Sequence, residues 1–288
     1  MDMNTSPSYI PEHWANPGRR LRILSYNIQV GINYTCYRHY LTQSWKHVLP
    51  YPGRLENLDG IANFISSFDI VGLQEVDAGS LRSNYINQTQ YLAQGAGFPN
   101  WYTLTNRNLG RLAQHSLGLL THIQSNDVRE CKLPCKIPGR GALMAVFGTG
   151  AHKLLVVILH LSLGRKARSR QLAYLARIIE PYEHTILMGD FNCRLDDPEF
   201  QALLGSTHLC SPERERHTFP SWKPNRDLDH ILVTPGLKVE RTYVYHTEYS
   251  DHLPIALDIL LPSSIQLDRC YKKPMLMPSV KDSVALAH

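Results

Sequence analysis

Eight polar side chains close otherwise apolar runs of this sequence: Asn27, Glu75, His160, Asp190, Asn192, Asp229, Asp251 and His252. An acid that ends a buried strand is costly without a partner, so Glu75 calls for solvent or a cation. A hard divalent ion with oxygen ligands suits it. In Gly-Asp-Phe-Asn at residues 189–192 the apolar run Ile186-Leu187-Met188 stops at a glycine, and Asp190 and Asn192 project from its end. Gly189 allows a turn or a close backbone approach. Such a segment also fits a plain turn in which Asp and Asn satisfy nearby backbone donors. A lone histidine such as His160 is often structural. The repetition is what counts: polar residues that keep closing buried strands are best explained by convergence on one cleft.

The elements that must position them follow from periodicity. Residues 21–27, 69–75, 101–105, 117–121, 142–147, 153–160, 185–190, 228–233, 237–245 and 253–260 read as strands. The 237–245 run is expected to pair with 228–233 across a Pro235-Gly236 turn. Leu55, Leu58, Ala62 and Ile65 recur at helical spacing across residues 54–67, residues 80–94 read as a second helix, and Asp197-Pro198 starts a short one. A further helix opens with Arg165-Lys166-Ala167-Arg168-Ser169-Arg170. Its apolar face is Leu172, Leu175, Ala176 and Ile179. Extended backward, that face takes in Arg165 and Arg168 and leaves Lys166 and Arg170 on the other side, so Arg165 and Arg168 are the phosphate candidates. Residues 33–53 carry Tyr34, Tyr37, Tyr40, Trp45 and Tyr51 among basic residues, a composition that either packs the excursion onto the domain or holds a base, a sugar or a lipid headgroup.

With 288 residues and 43% hydrophobic content the chain suits one large domain, expected over residues 21–261 between an extension, 1–20, and a tail, 262–288. A formal charge of +5 permits a phosphate-bearing partner without naming one. The start has no secretory pattern and the longest central apolar run is too short to span a bilayer. Six cysteines lack paired zinc-ligand spacing, and Cys131 with Cys135 is their one close pair, so ordinary thiols in a reducing compartment are expected. A cytoplasmic monomer follows as the expectation.

Taken in order, Ser-Tyr-Asn-Ile-Gln, Leu-Gln-Glu-Val, Leu-His-Leu, Gly-Asp-Phe-Asn, Leu-Asp-His-Ile-Leu-Val and Ser-Asp-His-Leu-Pro resemble the endonuclease/exonuclease/phosphatase superfamily over about residues 21–260. The resemblance implies an α+β fold, a four-layer sandwich of two mostly antiparallel sheets face to face with helices outside. It implies a divalent-metal-dependent phosphoesterase in which activated water attacks a phosphate ester, most readily a phosphodiester. Mg2+ is the expected ion, with Mn2+ as a substitute, held by Glu75, Asn27 and Asp251. Asp190 would accept the proton of the attacking water or orient that water, and Asn192 would fix the geometry. His252, oriented by Asp229, would bond a phosphoryl oxygen or serve as the base, and His160 would stabilise the pentavalent oxygens or protonate the leaving group.

Gln29 stands where apurinic endonucleases carry a metal-site acid, and His160 where they use tyrosine, so the chain departs from those enzymes. The likeness runs instead to uncharacterised bacterial members with His-Leu-Ser-Leu-Gly before a basic helix. The family includes nucleases for DNA or RNA, sphingomyelinases and phosphoinositide phosphatases, and the substrate stays open among nucleic acid, a phospholipid headgroup and a small diester. A nuclease would need a long basic groove, and a lipid enzyme an apolar rim for which Trp45 is available. A binding module without catalysis would be expected to have lost some of these acids or histidines, and it has not.

Overall fold

Side chains alternate between the two faces of a strand, and here each face has a helix layer or a second sheet to meet it. The computed structural model describes residues 20–135, 139–149, 152–212 and 216–267. In chain order these form β1 (Arg20–Asn27), α1 (Arg38–Thr42), α2 (Gly53–Ile65), β2 (Ile70–Asp77), α3 (Gln88–Ala96), β3 (Asn100–Asn108), β4 (Gln114–Thr121) and β5 (Ser125–Lys132). There follow β6 (Gly141–Phe147), β7 (Leu154–His160), α4 (Arg165–Ile179), β8 (His184–Asp190), α5 (Pro198–Ser206), β9 (Asp229–Val233), β10 (Lys238–Val244) and β11 (Ile255–Leu260).

One sheet has six strands in the order β10-β11-β1-β2-β4-β3, and the other five in the order β5-β6-β7-β8-β9. The pairs β1–β2 and β7–β8 are parallel and their neighbours antiparallel, as the family resemblance implied. Between the sheets lie Ile23, Ile70, Phe147, Val156, Ile186 and Leu257. Leu58, Ile61 and Leu92 of α2 and α3 cover Leu24, Val71 and Leu73 on one outer face. Leu172, Leu175 and Phe200 of α4 and α5 cover Leu155, Val157 and Leu187 on the other. Each such side chain taken from water contributes roughly 1.5–3 kcal/mol, so the four layers are held by burial on three parallel planes.

Three departures from the sequence reading have physical causes. The 228–233 and 237–245 runs do not form a hairpin: β9 pairs with β8, while β10 pairs with β11 in the opposite sheet. Every β9 residue is buried, whereas β10 is half-exposed at a sheet edge, so the chain crosses between layers at residues 234–237. The helix expected over 80–94 is divided, because Asn84 and Tyr85 take positive φ after a short 3-10 turn, Leu81–Ser83. The α-helix proper begins at Gln88, where the Asn87 side chain accepts the Gln90 N–H at 3.2 Å. Strand β5 was not expected, since Asp127, Arg129 and Glu130 obscure its period; it is an edge strand with half its residues in solvent.

Residues 1–19 and 268–288, which hold nearly all of the expected extension and tail, lie outside the described residues. The start of the expected tail is not peripheral: Ile265 is buried in the inter-sheet core and the Thr149 N–H donates to the Gln266 carbonyl at 3.2 Å. Among the described residues no helix is long and apolar enough to cross a membrane. The described cysteines, Cys36, Cys131, Cys135, Cys193 and Cys210, are free thiols.

Candidate active site

The inner-face rows of four strands end in polar side chains at one edge of the sandwich. On β1 the row is Ile23, Ser25, Asn27; on β7 it is Val156, Ile158, His160; on β8 it is Ile186, Met188, Asp190; on β9, read backward, it is Val233, Ile231, Asp229. Register then aligns them, since His160 pairs with Asp190 and Asp190 with Asp229. Gly189 makes this possible. A Cβ there would lie 2.0 Å from the Leu159 carbonyl oxygen, and its φ of +146° disfavours any side chain.

Glu75 reaches the same place by breaking the pattern. Val71 and Leu73 point outward to the helices, and Glu75 would follow them in a regular strand. Instead the β2–β4 ladder slips between Leu73 and Val76, Glu75 takes φ +54°, and Val76 assumes the outward position. A bulge has re-aimed the acid, at a backbone cost of about 1–3 kcal/mol. Asp251 and His252 arrive on the loop before β11. That loop is clamped by Ser250 Oγ donating to the Asn27 carbonyl at 2.7 Å, by Ser221 N–H to the Asp251 carbonyl at 2.7 Å and by Leu253 N–H to the Thr218 carbonyl at 2.8 Å.

One oxygen organises the centre. Asp190 Oδ2 accepts from Asn27 Nδ2 at 3.1 Å, with His160 Nε2 at 3.4 Å and His252 Nε2 at 3.9 Å. Asp190 Oδ1 accepts the Asn192 N–H at 2.9 Å, and Asn192 Nδ2 donates to the Leu161 carbonyl at 3.0 Å, so Asn192 fixes the carboxylate through its backbone. Asn192 itself takes φ +51°, which asparagine tolerates. Asn27 Nδ2 also meets Glu75 Oε1 at 3.4 Å, and His160 Nε2 lies 3.9 Å from that oxygen. His252 Nδ1 faces Asp229 Oδ2 at 2.7 Å. All eight side chains expected at the cleft are therefore gathered at one edge.

Burial pushes Asp190 well above the usual carboxylate range, with Asp229 and Glu75 adding to the rise against the pull of His252. Glu75 is raised by burial and then by Asp251. Burial alone would lower His252, but Asp229, through its charge and its hydrogen bond, and then Asp190 hold it well above the ordinary imidazole value. His160 is lowered by burial and by Arg140, so it stays neutral. The edge thus combines a poised carboxylate, a charged imidazole and an uncharged one.

The donors suit a hard divalent cation: the charge of Asp251 raises Glu75 and those of Asp229 and Glu75 raise Asp190, a repulsion that such an ion relieves. A tighter grouping, Asp190, Asp229 and His252, has ligand atoms within 4.8 Å of one another. The expectation for Asn27 changes. Its Oδ1 accepts the Gln29 N–H at 3.1 Å, which turns its amide nitrogen toward both acids and makes it a donor that positions them rather than an oxygen ligand.

A family model for the Endonuclease/Exonuclease/phosphatase family matches residues 24–252. The chain belongs to that family. Among solved structures it resembles an endonuclease/exonuclease/phosphatase from Beutenbergia cavernae at 20% identity and TM-score 0.67, covering 85% of this chain and 72% of that one. It also resembles the mannosyl-6-phosphatase Bt3783 of Bacteroides thetaiotaomicron at 18% identity and TM-score 0.62, covering 83% and 99%. D. rerio TDP2 complexed with a single-strand DNA product matches at 19% identity and TM-score 0.61, covering 83% and 98%. No curated protein is significantly similar in sequence. The family sandwich expected from the motifs is the one observed.

Within this family fold the two arginines expected to bind phosphate part company. Arg165 is exposed and borders the cavity beside Glu75 and His160. Arg168 is buried: its Nε and Nη2 meet Glu199 Oε1 at 2.9 and 2.6 Å, and its Nη1 bonds the Leu163 carbonyl. That corrects the assignment of Arg168, which ties α4 to α5. Lys166 and Arg170, set aside by the face argument, line the cavity as well. Three more site residues were missed. Tyr40 donates its hydroxyl to Asp251 Oδ2, Thr218 donates to Asp229 Oδ2 at 2.6 Å, and Arg140 lies close enough to depress His160. The aromatic density of residues 33–53 was the available signal for Tyr40. That segment packs onto the domain, since Tyr34 is buried while Tyr37 and Tyr40 stand edge-on or tilted against Trp222.

Proposed function

We propose that the protein is a divalent-metal-dependent phosphoesterase that hydrolyses a phosphate ester, most readily a phosphodiester, by attack of activated water. The observation that carries this reading is the convergence of Asn27, His160 and His252 on the single oxygen Oδ2 of Asp190, with Glu75 alongside. Glu75 and Asp251 would hold the ion. When bound, Mg2+ or Mn2+ supplies charge neutralisation at the phosphate oxygens and assists departure of the leaving oxygen.

The chain's own groups divide the remaining work. Asp190, its pKa raised by burial, takes the proton of the attacking water at Oδ2 or orients that water, while Asn192 holds Oδ1. His252 is kept charged by Asp229, which favours it as a hydrogen-bond donor to a phosphoryl oxygen over a role as base. Neutral His160 donates from the other side to the developing charge or to the leaving group. Arg165 supports the substrate at the cavity edge. The free thiols suit a reducing, cytoplasmic setting.

The test is hydrolysis of bis(p-nitrophenyl) phosphate and p-nitrophenyl phosphate with Mg2+ or Mn2+. Glu75→Gln and Asp190→Asn are each expected to lower kcat by about 10²-fold or more with circular dichroism unchanged. Turnover near wild type in either variant would falsify the assignment.

A further inference from the structure

A cavity of about 950 Å³ opens beside Glu75 and His160, on the upper end of the range for sites that enclose a single small molecule. Its walls come from the β3–β4 hairpin, the described ends of the β5–β6 connection (Pro134, Cys135, Gly139 and Arg140) and the start of α4. Five of the side chains on it are cationic: Arg107, Arg140, Arg165, Lys166 and Arg170. Among the described residues lining it Glu75 is the one carboxylate, and it stands at the end next to the reacting centre. Arg165 has a partner in Glu199 at 3.3 Å. Among the described residues no salt bridge joins a carboxylate to Arg107, Lys166 or Arg170, and Arg140 acts on Glu75 through its charge.

Like charges gathered around one cavity repel each other, and an anion placed among them relieves that repulsion while accepting charge-assisted hydrogen bonds. The potential registers on the neighbouring imidazole: burial, then Arg82 and Arg107, push His115, another cavity residue, down to about 4. One phosphate at the reacting centre does not account for five cations that extend from it along the α4 start and across to Arg107. A choline headgroup, itself a cation, meets the wrong sign of charge. A polynucleotide needs positive charge leading along an extended groove, whereas these residues gather around one concave, half-open cavity between three segments of chain.

We propose that this cavity recognises a second anionic group, so that the substrate is a small polyanion carrying at least two phosphates, one hydrolysed at the Asp190 centre and one held by Arg107, Arg140, Lys166 and Arg170. This rests on the hydrolase reading for where the reacting phosphate sits. Apolar surface from Leu163 and Ala167 on the same walls suits the carbon skeleton between the two groups.

The experiment compares kcat/KM with Mg2+ for a hexose bisphosphate against the hexose monophosphate and a nucleoside 3′,5′-bisphosphate against the 5′-monophosphate. Phosphorylcholine and a single-stranded oligonucleotide complete the set. Wild type is run beside the Lys166→Ala/Arg170→Ala double variant, whose two sites are exposed and whose fold should be undisturbed. The bisphosphates are expected to be preferred by about tenfold or more, and the double variant to lose at least about tenfold of that preference through KM. Calorimetric titration of the hexose bisphosphate into Asp190→Asn, with and without the two alanines, reads the same contact without turnover. Equal use of mono- and bisphosphates, a preference for the oligonucleotide or phosphorylcholine, or binding unaltered by the alanines overturns the proposal. Absence of hydrolysis of every ester would instead remove the hydrolase reading, and the calorimetric arm would still decide whether the cavity holds a polyanion.

Discussion

Asp229 Oδ2 lies 2.7 Å from His252 Nδ1 and also accepts the Thr218 hydroxyl at 2.6 Å, while Asp229 Oδ1 is buried without a partner. All of the carboxylate's attention is on one oxygen, and the imidazole is oriented by it. Because His252 has a raised pKa, the stability of this pair is fully present below the unfolded value of about 6.5 and is lost as pH rises through the folded one. Asp229→Asn removes the charge that raises it. The alkaline limb of the kcat–pH profile is therefore expected to move to lower pH, with kcat reduced about 10²- to 10⁴-fold and KM little changed. An alkaline limb in the same place as wild type would separate His252 from Asp229 in function.

The two arginines of α4 give opposite expectations. Arg168 and Glu199 are both buried and joined by two short contacts, so Arg168→Ala leaves the acid with only the exposed Arg165 at 3.3 Å and should lower stability by up to about 3–5 kcal/mol in urea denaturation. Replacing Arg165, exposed at the cavity and 3.3 Å from Glu199, by alanine should raise KM and lower the unfolding free energy by no more than about 1 kcal/mol. A stable Arg168→Ala with raised KM would return that residue to substrate binding.

Asp77 anchors the segment after β2. Its carboxylate accepts from the Gly79, Ser80 and Gln114 N–H groups, the Ser80 and Ser83 hydroxyls and Arg82 Nε. Burial would raise its pKa, yet Arg82 and Ser80 more than offset that and bring it from 3.8 down to about 2. A depressed acid stabilises the fold above its unfolded value, and that contribution, about 2 kcal/mol, fades as pH falls through the folded one. The stability gap between wild type and Asp77→Asn should thus be widest above pH ~4 and close toward pH ~2. A gap independent of pH would show that the loss is one of packing.

How much of this was legible in the sequence depends on whether a residue's role is carried by its own strand. Asn27, His160, Asp190 and Asp229 extend rows of apolar residues with period two, so the pattern that predicts the strand also places the side chain. Glu75 was marked by its cost of burial, but the bulge that turns it inward left no periodic trace. Tyr40 acts across 211 residues, and although Thr218 lies only 11 residues from Asp229, neither it nor Arg140 sits on a periodic element that would announce the contact. Arg168 was misread because a helix face predicts which side is covered, not whether the covering partner is a sheet or the acid of another helix. The β9–β10 crossing was misread for a similar reason, since a Pro-Gly turn fixes a change of direction and not the sheet that receives the next strand.

The place of β1 between β2 and β11 orders events during synthesis. Among the described strands the first to be made pairs along one side with an early neighbour and along the other with the last, Arg20 meeting Leu260. Until that final segment emerges, β1 keeps an open hydrogen-bonding edge, and Asp251 and His252 are absent from Asn27 and Asp190. Docking of β11 onto β1 thus completes the sheet and brings Asp251 and His252 to Asn27 and Asp190 in one step.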